Sequence, residues 1–585
     1  MAILAPQQKR DAVKPIEIVR RSSVDVGDWP EQVPPLLRRV LAGRGIIGHD
    51  QAQLRLAQLQ PPALLGAIGD AAELLIAAID RDAVIVITGD FDCDGATGTA
   101  VAVRGLRLLG ARQVRYRVPN RSTHGYGLSP ALVSDIAALS PNVVMTVDSG
   151  IACHAGVAAA KAMGWQVIVT DHHLPGAQLP VADVIVNPNL DGDRFPSKSL
   201  AGVGVMFYLL LEVRRRLRER GAAGGEADLS SLLDLVAIGT VADMVALDYN
   251  NRVLVAAGLA RIRRGLGHVG VQALIAVCGR EHAHLSCADI GFALAPRLNA
   301  AGRLEDMAIG IACLLSDDPV QARALAAQLD AINGERRVLQ QQMVEEAEML
   351  AAKIVFDGDA LPAALCLFDA GWHPGVVGLV ASRLKDRYHR PVLAFAPASG
   401  AAERGEQPLR GSARSIPGFH IRDALALVDA RNPGMIERFG GHAMAAGLSL
   451  AQDALPAFTA AFTACAAQRI DPAMLARRIE TDGALQPDEF TLANAHALAM
   501  AGPWGQGFPE PLFDGVFAVL DWKLLGERHL RLQLLPEAGG SVLDAIHFSG
   551  WAGQPPPAKI HAVFQLAINR FRGREAVQLI IQHCQ

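Results

Sequence analysis

Four short runs of β-branched residues, each closing on polar side chains, constrain this chain more than any other feature. "AVIVIT" leads into Asp90, Asp92 and Asp94, "NVVMTV" into Asp148, "QVIVT" into Asp171, His172 and His173, and "DVIVN" ends at Asn187. Alanine-rich stretches such as "GVAAAKAMG" lie between them. Near-continuous apolar strands alternating with helices are the pattern of a parallel sheet covered on both faces. In such a sheet every strand C-terminus lies on one edge, where ligands bind, so the four polar ends are expected to meet at one site.

Three aspartates in five residues, followed by Gly95, also open a calcium-binding EF-hand loop. That reading fails twice. Counted from Asp90, the position that needs a bidentate glutamate is Val101, and the loop follows a strand instead of a helix. Taken singly, an aspartate after a strand is more often a turn former or helix N-cap than a ligand. Taken together, these carboxylates would repel one another unless cations neutralised them. Carboxylates joined by one or two imidazoles suit manganese or magnesium, as one or two ions. Such a site activates water and polarises a phosphoryl oxygen, so phosphoester hydrolysis is the expected chemistry. No Walker loop and no Ser-His-Asp arrangement competes with it.

The 585 residues imply roughly three or four domains. A hydrophobic share of 51% with 19% charged residues belongs to a packed, soluble chain. The formal charge of −4 means that nucleic-acid contact must use local basic stripes. Eight scattered cysteines without a C-x-x-C pair argue against a disulfide or zinc framework. The start "MAILAPQQKRDAVK" lacks the order of a secretory leader, and charges interrupt the apolar runs, so a cytoplasmic protein outside the membrane is expected.

Five segments follow from the pattern: an N-terminal extension over 1–50, a first α/β domain over 51–315, a connecting helix over 316–355 weakened at Asn333-Gly334, a second α/β domain over 356–465, and a β-rich C-terminal domain over 466–585. Alternation in "LRLQLL" and "HAVFQLAI" makes the last a small barrel. Two α/β lobes on a long helix would form a cleft for a strand.

"GDFDCDG", "TVDSG", "VTDHH" and "GTVADMVAL", in this order, resemble the four motifs of the DHH phosphoesterase superfamily. "PNRSTHGYGLS", "LAPRLNAAGR", "GWHPGVVGLVASRL", "GSARS", "FGGHAMAAGL" and "GPWGQGFPEPLF" narrow the resemblance to its exonucleases, over about residues 50 to 585. The resemblance implies a DHH domain, a DHH-associated substrate-binding domain and an OB-like nucleic-acid-binding barrel. It also implies 5′ to 3′ degradation of single-stranded DNA to mononucleotides, in repair and recombination. A helicase and a single-strand-binding protein are the implied partners, and a monomer is expected.

By the same resemblance Asp92, Asp94, Asp148, His172 and Asp243 are metal ligands, with Asp90 an additional or supporting ligand. His173 would face the scissile phosphate as an electrostatic donor. Arg121, Arg303, Ser412 and Arg414 would hold substrate phosphates, including a terminal 5′-phosphate. Gly440, Gly441 and His442 match the glycine-glycine-histidine signature of the associated domain. Thr88 stands where several relatives carry a histidine, which leaves the coordination of a second ion open. An arginine series, Arg104, Arg107, Arg112, Arg115, Arg117 and Arg121, would track phosphates, with Trp522 or Phe571 of the barrel stacking bases. Two other readings remain at this point: a phosphodiesterase for short oligonucleotides or cyclic dinucleotides, and a non-catalytic nucleic-acid scaffold.

Overall fold

The first apolar run forms a fully buried strand, Ile85–Gly89 (β1), and its neighbours follow at Val114–Tyr116 (β2), Val143–Val147 (β3), Gln166–Thr170 (β4) and Val184–Val186 (β5). They make one sheet ordered β2-β1-β3-β4-β5 in which every pairing is parallel. Alternate residues face opposite ways. Val86, Val144, Val167 and Val169 pack with Leu132 and Val157 on one side. Ile85, Ile87, Met145, Val147 and Ile168 join the larger core on the other. Each such side chain contributes about 1.5–3 kcal/mol when fully buried. The edge strand β2 was not among the expected runs, because "VRY" is too short to show a period.

The computed structural model describes residues 16–22, 27–121, 123–357, 361–398 and 408–585. The start of the N-terminal extension, with "MAILAPQQKRDAV", lies outside them. Contacts divide the chain into two units, Ile18–Asp330 with Glu480–Gln585, and Ala331–Ile479 with the residues up to Glu17. In the first unit the helices that matter for function are Cys93–Leu108 (α1), Gly202–Glu219 (α2), Leu233–Ala242 (α3) and Ala295–Leu304 (α4). The basic end of α2 serves the fold: Arg215 and Arg216 both bind the buried Glu212 carboxylate at 2.7 Å.

The long helix runs Pro319–Asp357 (α5). Asp318 starts it by accepting the Val320 amide at 2.8 Å, and proline suits the first helical position. The expected weak point holds: the helix passes Asn333-Gly334 unbroken, and buried Asn333 accepts from Arg336 at 2.9 Å. One glycine costs only about 1 kcal/mol against alanine, and side-chain pairs such as Gln341–Glu345 and Gln342–Glu346 offset part of it.

In the second unit, Leu365–Phe368 (β6), Val392–Pro397 (β7), Pro408–Arg414 (β8), Arg438–Gly441 (β9) and Ala445–Ala451 (β10) form a sheet ordered β9-β10-β8-β7-β6. Only β6 and β7 are parallel. This unit has its own core around Phe395, Leu425, Phe458 and Phe462; the helix Val377–Tyr388 (α6) packs on the other face of the sheet, against Ser412 and Arg414.

The C-terminal strands Phe513–Leu525 (β11), His529–Pro536 (β12), Leu543–His547 (β13), Lys559–Phe571 (β14) and Arg574–Cys584 (β15) close into the expected barrel. Its interior, with Phe513, Phe517, Leu532 and Phe564, is continuous with the core beneath the first sheet. All eight cysteines are free thiols. Among the described residues no single helix is long and apolar enough to cross a membrane; one bent pair, Leu56–Leu64 with Ile68–Asp80, passes that test by length and composition only.

Candidate metal centre

Parallel strands β1, β3 and β4 deliver Asp90, Asp148 and Asp171 to one edge, each one position beyond its strand. The turn after β1 is tight. A Cβ on Gly95 would lie 2.4 Å from the Asp90 carbonyl oxygen, so only glycine lets α1 start so close to the strand. Asp92 is the N-cap of α1 and accepts the Gly95 amide at 3.0 Å. Asp94, buried in the first turn, accepts the amides of Gly202 (2.7 Å) and Val203 (2.9 Å) at the start of α2. That helix terminus stabilises negative charge. Gly202 is required there too, because a Cβ would sit 2.5 Å from that of Asp148.

Asp148 adopts a left-handed backbone, φ +59, rare for a residue other than glycine. Its Oδ1 lies 3.1 Å from His172 Nε2, and Asp243, which follows α3, places Oδ2 3.5 Å from the same nitrogen. Neither Asp148 Oδ1 nor His172 Nε2 has a hydrogen-bond partner among the described residues, although both are buried. Buried polar atoms left this way are costly unless something else satisfies them.

Three overlapping groups of donor atoms, each within 4.8 Å, define where a cation fits: Asp90, Asp92 and Asp148; Asp148, His172 and His173; Asp94, His172 and Asp243. Asp148 belongs to the first two and His172 to the last two. The donor set of carboxylates and imidazole fits a hard divalent ion such as manganese or magnesium.

Asp171 has another task. Its carboxylate accepts the amides of Ile151, His172 and His173 and the His173 Nδ1–H, at 2.7–3.0 Å. It therefore fixes the His173 ring beside Asp148 and His172.

Electrostatics follow the geometry. Burial, then the Asp92 charge, pushes Asp90 up to about 8, against the Phe91 amide, Arg121 and His173. Burial raises Asp94 and Asp148 well above the carboxylate range, and neighbouring aspartates add to it. Asp243 is raised, again chiefly by burial. Burial lowers His172, which favours the neutral imidazole that ligates metal. Burial opposes charge on His173 as well, but the Asp171 hydrogen bond and nearby carboxylates raise it to about 9. Burial works against the Asp171 anion, yet its bonds to His173 and both imidazoles hold it below its ordinary value. A divalent cation relieves the crowding of the raised carboxylates.

Arg121 lies beside this cluster, its guanidinium 4.0 Å over the Phe91 ring and its Nε donating to the Gly302 carbonyl at 3.2 Å. Arg303 is on α4, one turn beyond Asn299. Asn299 was missed by sequence reasoning: its Oδ1 accepts the Cys93 amide at 2.9 Å and so fixes the start of α1. It lies inside "LAPRLNAAGR", in which only the second arginine, Arg303, carries an expected role. Tyr126 was missed as well; its ring meets the edges of Phe91 and His173, with centroids 6.1 and 6.4 Å away. Thr88 is buried on β1, and its hydroxyl has no hydrogen-bond partner among the described residues.

Ser412, Arg414 and His442 belong to the second unit. Arg414 donates to Ser412 Oγ at 3.0 Å, and burial lowers its pKa. Both side chains crowd Gly378 in the first turn of α6, where a Cβ would meet each at 2.9 Å. His442 is exposed on the β9–β10 turn, its amide bonded to the Ala445 carbonyl.

Besides Arg121, four members of the arginine series are engaged by the protein itself. Arg104 binds Asp317 and the Leu314 carbonyl, Arg107 the Val114 carbonyl, Arg112 Asp82, and Arg115 the Leu139 carbonyl. On the barrel, Trp522 is 37% exposed and stacks on Trp551 at 5.6 Å, while exposed Phe571 lies under Arg572.

Family models match in three places: the DHH family N-terminal domain over residues 84–240, the DHHA1 domain over 359–468 and the RecJ OB domain over 481–583. The chain is 48% identical over 574 residues to the single-stranded-DNA-specific exonuclease RecJ of Dickeya dadantii (strain 3937), covering 97% of this chain and 98% of that protein. It is 47% identical over 575 residues to the protein of the same description from Escherichia coli (strain K12), with 97% and 99% covered. The crystal structure of RecJ in complex with Mn2+ from Thermus thermophilus superposes with a TM-score of 0.79 at 30% identity, covering 98% of this chain and 80% of that one. The same protein with Mg2+ gives 0.75 at 29% identity, with 98% and 79% covered. With identity near one half over almost the whole of both chains, this chain belongs to the RecJ family of the DHH superfamily.

Proposed function

We propose that this protein is a divalent-metal-dependent exonuclease that degrades single-stranded DNA from its 5′ end to mononucleotides. One observation carries the reading: buried Asp148 Oδ1 and His172 Nε2 face each other at 3.1 Å without hydrogen-bond partners among the described residues, within overlapping sets of acidic and imidazole donors. Family membership and the names of the relatives supply the substrate class.

Asp92, Asp94, Asp148, His172 and Asp243 would hold one or two Mn2+ or Mg2+ ions, with Asp90 completing the side nearest Asp92. When bound, such ions neutralise the carboxylates, lower the pKa of a bound water and polarise the scissile phosphate. His173, kept protonated by Asp171, offsets charge that develops on the phosphate oxygens. Arg121 and Arg303 of the first unit, and Ser412, Arg414 and His442 of the second, are phosphate-binding residues. We assign the protein to DNA repair and recombination in the cytoplasm, as a monomer that works with a helicase and a single-strand-binding protein.

End-labelled digestion tests this. A 5′-phosphorylated single strand with Mn2+ or Mg2+ should yield mononucleotides from the 5′ end, while a blocked 5′ end or a blunt duplex resists. Digestion of duplex lacking any single-stranded end, or faster turnover of a dinucleotide than of a long strand, would overturn the assignment.

A further inference from the structure

Helix α4 does not begin cleanly. It continues a short turn, Cys287–Asp289, through a π-helical segment, Ile290–Leu294, in which the Ala295 amide reaches back five residues to the Ile290 carbonyl. The cause is Pro296. Proline has no amide hydrogen, and its ring would clash with the carbonyl four residues earlier, that of Phe292, so the helix widens just there. Arg297 steadies the widened turn through the Ala293 carbonyl (2.7 Å) and Asp330 (2.8 Å).

The bulge presents Phe292, whose side chain is 87% exposed, the most exposed of the large hydrophobic residues described. A lone exposed apolar side chain needs no explanation by itself. Its placement does. Phe292, Pro296, Asn299 and Arg303 recur at helical spacing and form the accessible stripe of this helix, while Ala293, Leu294, Ala295, Leu298 and Ala301 are buried. The stripe ends in the metal centre, where Asn299 holds the Cys93 amide and Gly302 accepts from Arg121.

We propose that Phe292 is a base-stacking residue of the substrate path, holding a nucleobase on the 3′ side of the scissile phosphate. The inference rests on the exonuclease reading above and names one more contact for it. A single strand has unpaired bases whose faces need cover, and an exposed aromatic ring supplies it without regard to sequence. Along the helix, Phe292 stands roughly 16 Å from Arg303. At about 3.4 Å per nucleotide in a stacked strand, and more in an extended one, this is about three to five nucleotides. Bases nearer the end would not reach it.

Steady-state kinetics with Mn2+ on 5′-phosphorylated dT20 and dT2 separate the possibilities, using the parent, Phe292→Ala and Phe292→Trp. Phe292→Ala should raise KM for dT20 about tenfold, with the loss in KM and not in kcat, so that the advantage of dT20 over dT2 shrinks by that factor; Phe292→Trp should restore it. An abasic site at the third, fourth or fifth position of a longer strand should cost the parent a similar factor and add nothing in Phe292→Ala. A parent that digests dT20 with a KM that Phe292→Ala does not move, or penalties that multiply at every abasic position, overturns the stacking assignment alone. A parent that digests neither strand overturns the exonuclease reading and this one with it.

Discussion

Asp148 concentrates the conflict that defines this site. It is 1% exposed, holds a left-handed backbone and carries an oxygen that no described residue hydrogen-bonds. Strain and crowded like charge both work against the fold, and persist because the surrounding strands over-determine the geometry. Asparagine tolerates the left-handed region well, so Asp148→Asn removes the charge and keeps the backbone. The metal-free variant should melt no lower than the parent, since a mutual repulsion is gone. It should also lose the stabilisation by Mn2+, which for the parent is about 2.7 kcal/mol at a hundredfold excess over Kd. Nuclease rate should fall by roughly a hundredfold or more. Thermal melts with and without Mn2+, beside initial rates, check both halves; a variant still stabilised by Mn2+ would remove Asp148 from the ligand set.

At the scale of elements, the sequence was most legible where one strand end carries its own chemistry. The runs before Asp90, Asp148 and Asp171 announced both the sheet and the edge, because parallel topology fixes where strand ends go. The role of α4 was not legible. Asn299 acts through a hydrogen bond to Cys93, and Gly302 through a close approach to the Phe91 carbonyl, where a Cβ would lie at 1.8 Å. Neither leaves a local pattern in the chain; both depend on which helix the fold brings to the first motif. The partners of Arg104 and Arg107 were illegible for the same reason, since each arginine bonds to a carbonyl on a neighbouring element. Two glycines make the contrast testable. Gly302→Ala should cost about 1–3 kcal/mol by overpacking and displace the Asp90–Asp92 turn, lowering activity. Gly334→Ala, in α5 with nothing within 4 Å of the added methyl, should stabilise by about 0.5–1 kcal/mol with activity retained. Urea melts and initial rates measure both, and equal effects would mean that local propensity, not packing, governs these sites.

Over the whole molecule, the cores and the sequence order are arranged differently. The barrel comes last in the chain, yet Phe513 and Phe564 belong to the core that also holds Ile87 and Leu106, while Phe395 and Phe462 anchor a separate one. Residues 480–585 are therefore part of the folding unit of the metal centre. Asp514 ties that unit across its length. Its buried carboxylate takes Arg20 at 2.7 Å, Thr481 at 2.6 Å and His561 at 3.1 Å. Burial alone would raise its pKa, but these bonds outweigh it and hold the group below the ordinary carboxylate value. A depressed folded-state pKa contributes stability that is complete above the unfolded value of about 4 and is lost as pH falls through the folded one. Two cores imply two unfolding transitions in calorimetry, and Mn2+ should raise only the one that contains the metal centre. Asp514→Asn should lower that same transition by about 1–3 kcal/mol at neutral pH, a range that allows for the solvent around half-exposed Arg20. The deficit should be unchanged down to about pH 4 and shrink from there as pH falls through the lower folded-state value, where the parent carboxylate also loses its charge. A deficit that stays constant through that fall would mean that Asp514 acts through packing, and a shift of both transitions would mean that the two cores unfold as one.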